Sequence, residues 1–331
     1  MMVLTAKTRS EFREWLDEHA KTATECFVYV KRGKPTSGPI LSYLDAVEEA
    51  LCFGWIDSRQ IKDEHGILQR FSPRRKSSPW SELNKERCRR LIRLGLMTPL
   101  GEKTLPPLGP RSFHIDPDVE AALKKARCYQ TFCAFPPLYQ RVRAYNVAFY
   151  KNFDPALYQR ALSHLISETK QGRMFGEWND YGRLLELPFY GQGICGHLRP
   201  QVQEYEKLGS PVDLYSLLLT CWGQDTCAPR MAEAWPKSHP TLGQCSITAF
   251  LVQDLYGGEV YGVPLGDGNF HCFNVVDDVR FDLTSGQFGE KLLHYTLKYP
   301  QSREIHFQKK EKEARYLLLR QKLLQVLETR G

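Results

Sequence analysis

The chain has 331 residues, a formal net charge of +7, 42% hydrophobic and 25% charged residues, a balance that suits a globular protein with room for two cores. No apolar run approaches the ~20 residues of a membrane span, and the opening MMVLTAKTRSEF lacks the apolar centre of a secretory signal. Ten cysteines without regular spacing argue for free thiols in a reducing compartment, the cytoplasm, and against a disulfide framework or a structural zinc. No metal and no cofactor is expected.

Residues 8–20 read as a helix, with Phe12, Trp15, Leu16 and His19 at helical spacing. Cys26–Lys31 is strand-like. Ser42 caps a helix to Cys52 that turns Tyr43, Val47, Ala50 and Leu51 inward. A hairpin-like pair follows around residues 63–66. Trp80 to Leu94 is a basic helix whose Glu82 and Glu86 pair at three- and four-residue spacing with Lys85, Arg89 and Arg90, the pattern of a solvated face. Residues 59–93 hold eleven Lys/Arg against four Asp/Glu, a charge that attracts anionic partners. The internal pairing and the lack of any helix-turn-helix, RRM, KH or zinc-finger pattern argue against nucleic acid.

The candidate ligand residues of this half are Asp57, Arg59, Arg70, Arg74, Arg75 and Trp80. Arginines around a Phe-Ser-Pro turn can grip a carboxylate or phosphate through paired bonds, and Trp80 can stack on a flat ligand or on a guanidinium. An internal salt-bridge network is the alternative, and the residues alone leave it open. Trp55, Phe53 and Tyr139 read as core.

Asp116-Pro117, Pro136-Pro137 and Asp154-Pro155 then open three helices, since proline is favoured at a first helical position. Pro188 to Pro211 is rich in proline and glycine and reads as a linker between domains at 1–187 and 212–331.

The second half turns on HPTLGQCSITAFLVQDLYGG, from His239. Thr241 and Gln244 have capping-box spacing, Ile247, Phe250, Leu251 and Leu255 share a helical face, and Gly257-Gly258 ends the run. That puts Cys245 in a first helical turn, where the helix dipole favours thiolate. Period-two runs follow at 259–263, 270–276 and 279–283. A two-residue turn at Asp277-Asp278 pairs Val276 with Val279 and sets His271 on the face of Asp282, one diagonal step away. Asp-Asp lacks the glycine such turns prefer, and a three-residue loop would put Asp282 on the wrong face. Cys245, His271 and Asp282 are the candidate nucleophile, base and orienting carboxylate. The Cys245 amide with Gln244 or Gln224 would hold an oxyanion. The helix from Lys309 to Leu327 is mostly core, and its extra leucines at 317, 318 and 324 permit a homodimer contact.

These strings carry resemblances. HPTLGQCSITAFLVQDLYGGEV, the His271-Cys272-Phe273-Asn274 strand and FDLTSGQF resemble the YunG family from Leu214 to the C-terminus. The family usually reads His-Tyr-Trp-Asn at the strand, and it has no settled activity. The Cys-His-Asp order also resembles papain-like and transglutaminase-like cores. Over residues 8–187, EEALCFGWIDSR, LQRFSPRRKSSPWSELNKER, GLMTPLG and GEWNDYGRL resemble the YdeI/OmpD-associated, or bacteriocin-protection, family, which implies a link to peptide and stress resistance and brings no cofactor.

The expectation is a two-domain α+β protein performing thiol-dependent acyl transfer or hydrolysis on a small-molecule or peptide amide or ester, an anionic one being compatible with the arginines. The rival is a non-enzymatic binding or resistance protein in which Cys245 is a packed helix residue.

Overall fold

Four of the six residues of Cys26–Lys31 (β2) are buried, three of them in succession, which marks a strand with neighbours on both faces. In the computed structural model, which describes residues 2–329 except 37, 187, 236–238, 267 and 290 and the side chains of 110 and 207, β2 lies inside a mixed sheet. It pairs in parallel with β1 (Val3–Leu4) and β3 (Leu41–Ser42), and antiparallel with β5 (Gly66–Pro73). β5 in turn pairs antiparallel with β4 (Trp55–Asp63), where the register shifts between Asp57 and Gln60, an irregularity that bends the edge strand. The helix Tyr43–Cys52 packs on β4 and β2, and the helix Arg9–His19 packs on it.

The chain divides into two compact units, Met1–Leu91 with Met97–Glu186, and Ile92–Leu96 with Leu187–Gly331. Both combine helices and strands, so the fold class is α+β. The expected boundary residue, 187, lies outside the described residues.

In the first unit, burial of charge is the main departure from expectation. The basic helix, Glu82–Arg93, is not a solvated face: Glu82, Glu86, Arg87 and Arg89 are all buried. Each is matched. Arg87 grips both oxygens of Asp180 at 2.7 and 2.8 Å, and Arg89 donates to Glu86 at 2.7 Å and to the Leu108 carbonyl at 3.0 Å. Glu48 and Glu49, also buried, are met by Arg9 and Arg90 and by Arg13. An unpaired buried ion costs on the order of several kcal/mol, so this interior needs its arginines. Short-range charge patterns do not reveal the partner, because Asp180 is 93 residues from Arg87.

The proline-led helices form at Pro117–Lys125, Pro137–Phe149 and Pro155–Lys170, with Asp116 accepting from the Asp118 amide and Asp154 from the Leu157 amide. A short helix at Tyr129–Ala134, unforeseen from its sequence, joins them. Val119, Leu123, Phe132, Tyr139 and Leu165 make their common core.

In the second unit the stretch expected to be a linker is structural. Phe189, Cys195, Leu198, Tyr205 and Leu208 are buried in one cluster with Trp222, Ile247, Leu251, Phe281 and Leu323. Its prolines and glycines shape turns around these apolar anchors, and glycine-proline content alone does not separate a turn-rich wall from a tether. The helix Pro211–Cys221 follows, opened by a Ser210–Asp213 capping box. The helix Cys245–Tyr256 is buried almost all round, as a central helix should be. It packs on β7 and on the helix Lys310–Glu328. The sheet is the meander β6 (Glu259–Pro264), β7 (Phe270–Val276), β8 (Val279–Phe281). Leu317 of the last helix is exposed, while Leu324 packs against the core. Among the described residues no helix is long and apolar enough to cross a membrane.

Candidate functional site

The cysteine helix starts later than the capping-box spacing predicts. Gln244 is the residue before its first turn and makes no side-chain cap, and Cys245 is the first helical residue. Gly243 explains the delay. It has φ +70°, and a Cβ there would stand 2.6 Å from Cys227 Sγ and 2.9 Å from the Ala228 nitrogen. Only glycine fits, and a left-handed residue at 243 prevents a helix from running through it. The consequence favours the thiol, because the first amides of a helix have no intrahelical acceptor and carry its positive end.

The hairpin has the two-residue turn. Asp277 and Asp278 have φ of 47° and 62°, the left-handed pair that a tight hairpin requires and that aspartate tolerates. Val276 therefore pairs with Val279 and Asn274 with Phe281. This register carries His271 and Asp282 to one place: His271 Nε2 lies 2.6 Å from Asp282 Oδ2, with both side chains buried. Asn274 serves elsewhere, donating to the Ala249 carbonyl of the cysteine helix at 2.8 Å.

Asp282 is held on every side. Its Oδ1 accepts from the Thr284 amide and hydroxyl, both at 2.9 Å, and its Oδ2 also accepts from the Tyr295 hydroxyl at 2.8 Å. Its own amide donates to the Tyr190 carbonyl at 2.9 Å, and the Tyr190 ring stacks on Tyr295 at 3.7 Å. The supposed linker thus pins the carboxylate. With Nε2 committed to Asp282, His271 Nδ1 remains for other partners. Gln287 Nε2 stands 3.3 Å from it, and the Phe288 ring meets the imidazole edge-on at 4.7 Å.

Cys245 is half-buried, against full burial for most of the other cysteines. Hydrogen bonding from Cys272, and hydrogen bonding and charge from His271, outweigh burial to hold its pKa well below the usual 9.0. Cys272 moves the opposite way, pushed up by Cys245 and by burial. Burial alone would lower His271, but the Asp282 carboxylate and Cys245 raise it to about 10. At neutral pH the arrangement favours a thiolate facing an imidazolium. Both groups open on a cleft of about 670 Å³ whose lining includes Gln287, Phe288, Arg230 and Lys312.

Gln244 does not join them. It is fully buried, its amide donates to the Gly223 carbonyl at 3.0 Å, and neither it nor Gln224 lines the cleft. Gln287, six residues past β8 in TSGQF, lines the cleft beside His271 instead. Thr284 was legible as a hydroxyl two residues beyond an aspartate, a local turn pattern; nothing in the sequence marks Tyr190 or Tyr295.

Of the first-half candidates only Arg74 and Trp80 meet, in the guanidinium stack the sequence allowed; the others are spread over separate partners. Asp57 accepts from the Tyr43 hydroxyl at 2.7 Å, and Arg70 is bound to Glu25 at 2.6 Å and to Ser58 at 3.0 Å. Arg59 lies over Phe27 at 5.8 Å, and Arg75 is exposed. Arg74 stacks on Trp80 at 3.6 Å and donates to the Pro79 carbonyl at 2.9 Å, leaving Nε and Nη2 buried without an acceptor. The cause is position: Arg70 sits within β5, whereas Arg74 and Arg75 lie past its end at Pro73. Among the described residues no cluster of His, Cys, Asp and Glu is arranged to hold a metal.

Residues 210–328 match the YunG protein family. Residues 4–104 match a domain of unknown function, DUF8412, rather than a model of the YdeI/OmpD-associated group. The uncharacterized protein YunG of Bacillus subtilis (strain 168) is 34% identical over 73 residues, 22% of this chain and 61% of that protein. The alignment therefore spans less than two thirds of the curated relative's length. No solved structure matches.

Proposed function

We propose that the second unit is a thiol-dependent acyl hydrolase or transferase with Cys245 as nucleophile, His271 as proton carrier and Asp282 as the carboxylate that orients His271. The observation that carries this reading is one imidazole bonded to Asp282 at 2.6 Å that lines the same cleft as Cys245 and favours its thiolate. The thiolate attacks the carbonyl carbon of an amide or ester, forming a C–S bond while the π pair moves to oxygen. The Cys245 amide at the helix start and the Gln287 side chain are the donors available to that oxyanion. As the intermediate collapses, His271 gives its proton to the departing nitrogen or oxygen and the thioester remains. Water, or an acceptor amine, then loses a proton to His271 and attacks the thioester. The C–S bond breaks, and the sulfur leaves as the thiolate beside imidazolium.

Incubation with p-nitrophenyl acetate tests this. One p-nitrophenolate should be released rapidly per chain, with an acetyl group mapped to Cys245 that decays with time. Cys245→Ser should abolish the acetyl adduct, and His271→Ala should slow both its formation and its decay. Acetylation spread over other residues, or undiminished in His271→Ala, would refute the proposal.

For the first unit the resistance-linked binding role implied by the YdeI/OmpD resemblance is a separate reading, and Arg74 favours it. Its guanidinium is desolvated, stacked on Trp80 and unmatched by any carboxylate among the described residues. Calorimetric titration with inorganic phosphate should give heat that Arg74→Gln removes; equal heats in both proteins would exclude Arg74 as the anion contact.

A further inference from the structure

Besides the Cys245–His271 pair, five charged side chains line the cleft: Arg230, Lys309, Glu311, Lys312 and Arg315. Glu311 is matched by Arg315 at 3.0 Å, and Arg315 also donates to the Thr226 carbonyl at 3.2 Å. The other three cations have no carboxylate partner among the described residues. The cleft beside the thiol therefore carries uncompensated positive charge.

Lys312 differs from Arg230 and Lys309, which are exposed; it is half-buried. It is also fixed in place. Its Nζ donates to His306 Nδ1 at 3.0 Å, and His306 Nε2 donates to Gln301 Oε1 at 3.0 Å. An ammonium on one side and an amide oxygen on the other select the neutral Nε2–H imidazole. Burial and Lys312 hold His306 down at about 4, which keeps it neutral, and the Phe250 ring meets it edge-on at 5.1 Å. One of the three ammonium protons is used on His306, leaving two for a ligand. A desolvated cation without a counter-ion is unfavourable, and an incoming anion relieves that cost. Lys312 also lies within electrostatic reach of Cys245, so an anion bound there sits close to the nucleophile.

We infer that the cleft selects acyl substrates bearing a carboxylate near the bond that breaks, and that Lys312, set by His306, reads that carboxylate. The inference rests on Cys245 being the nucleophile. It narrows the substrate to molecules such as carboxylate-bearing amides or a peptide's C-terminal or acidic-side-chain amide linkage.

Two alkylating agents of similar size test it: iodoacetate, which carries a carboxylate, and iodoacetamide, which does not. Rates at Cys245 are followed by peptide mapping in the full chain and compared with a free peptide of residues 239–250. The ratio of the two rates cancels the thiolate fraction and reports on the carboxylate alone. In the protein that ratio should exceed the peptide's by about ten-fold, the lower end of electrostatic focusing in a charged cleft. Lys312→Gln should remove most of the excess, and Lys312→Arg should retain much of it. Lys310→Gln, on the same helix but exposed and paired with Glu313, should leave it unchanged. A ratio equal to the peptide's, or an excess that survives Lys312→Gln, would overturn the inference while leaving the nucleophile in place. If iodoacetamide itself labels Cys245 no faster than the peptide, the activated thiol falls, and the substrate assignment falls with it.

Discussion

His271 and Asp282 are eleven residues apart in the chain and 2.6 Å apart in space, joined across a hairpin whose turn is two aspartates in left-handed conformation. The bond is buried, and it leaves Nδ1 as the imidazole nitrogen available to Cys245 and Gln287. Replacing Asp282 with asparagine keeps the shape and removes the charge that raises His271. The Cys245 thiolate should then lose its counter-ion, and alkylation by iodoacetamide at pH 7 should slow by about ten-fold or more, since one pKa unit is a factor of ten. Unchanged alkylation with an intact circular dichroism spectrum would mean that Asp282 does not act through His271.

The pH dependence of stability follows from the two shifts. His271, raised from 6.5 to about 10, adds stability that is complete below 6.5 and lost as pH climbs through 10. Cys245, depressed from 9.0, adds stability that is complete above 9.0 and lost as pH falls through its folded value. Between 6.5 and 9.0 the two slopes oppose each other, so the pair's contribution should be flat there and fall on either side. In Cys245→Ser only the histidine slope survives. Urea midpoints measured from pH 6.5 to 9.0 should hold level for the parent relative to the variant, which should weaken steadily. Parallel profiles would show that the two groups do not titrate as a pair.

Gly243 sets where the helix begins. Alanine there would be strained at φ +70° and would press on Cys227 Sγ and the Ala228 nitrogen. The expected loss is about 1–3 kcal/mol of unfolding free energy, together with slower Cys245 alkylation as the helix start shifts. A urea midpoint within error of the parent's would contradict this account.

The first unit has its own test. Asp180→Ala removes both carboxylate oxygens that the buried Arg87 guanidinium grips, leaving it Asn84 Oδ1 but no counter-charge. Such losses cost about 3–5 kcal/mol, visible as a large drop in the unfolding midpoint. Replacing Arg87 and Asp180 together with methionine and leucine should recover part of it. If Asp180→Ala matched the parent, water would have to be reaching Arg87.

Local signals carried much of this protein. The Asp-Pro and Pro-Pro starts of three helices were legible because proline fixes φ and aspartate satisfies free amides within three residues. The hairpin register, and with it the His271–Asp282 pairing, was legible because side chains alternate strictly along a strand. What acts beyond a few residues was not. Thr241 offered a helix start that Gly243, pressed against Cys227, does not permit. The pairs Glu82–Lys85 and Glu86–Arg89 formed as the three-residue spacing indicates, but their burial and the Arg87–Asp180 pair depend on distant segments that a local window does not show. Residues 188–211 looked like a tether because turn residues outnumber the few anchors that bury, yet Tyr190 is what holds the Asp282 backbone. Gln244 seemed placed for an oxyanion by its neighbour's role, and packing turned it inward, leaving Gln287 at the cleft. Sequence determined which residues could do the chemistry, since type and periodicity are local properties. Tertiary packing decided which of them meet, because burial, counter-charge and the position of a helix start are set by atoms that come together only in the folded chain.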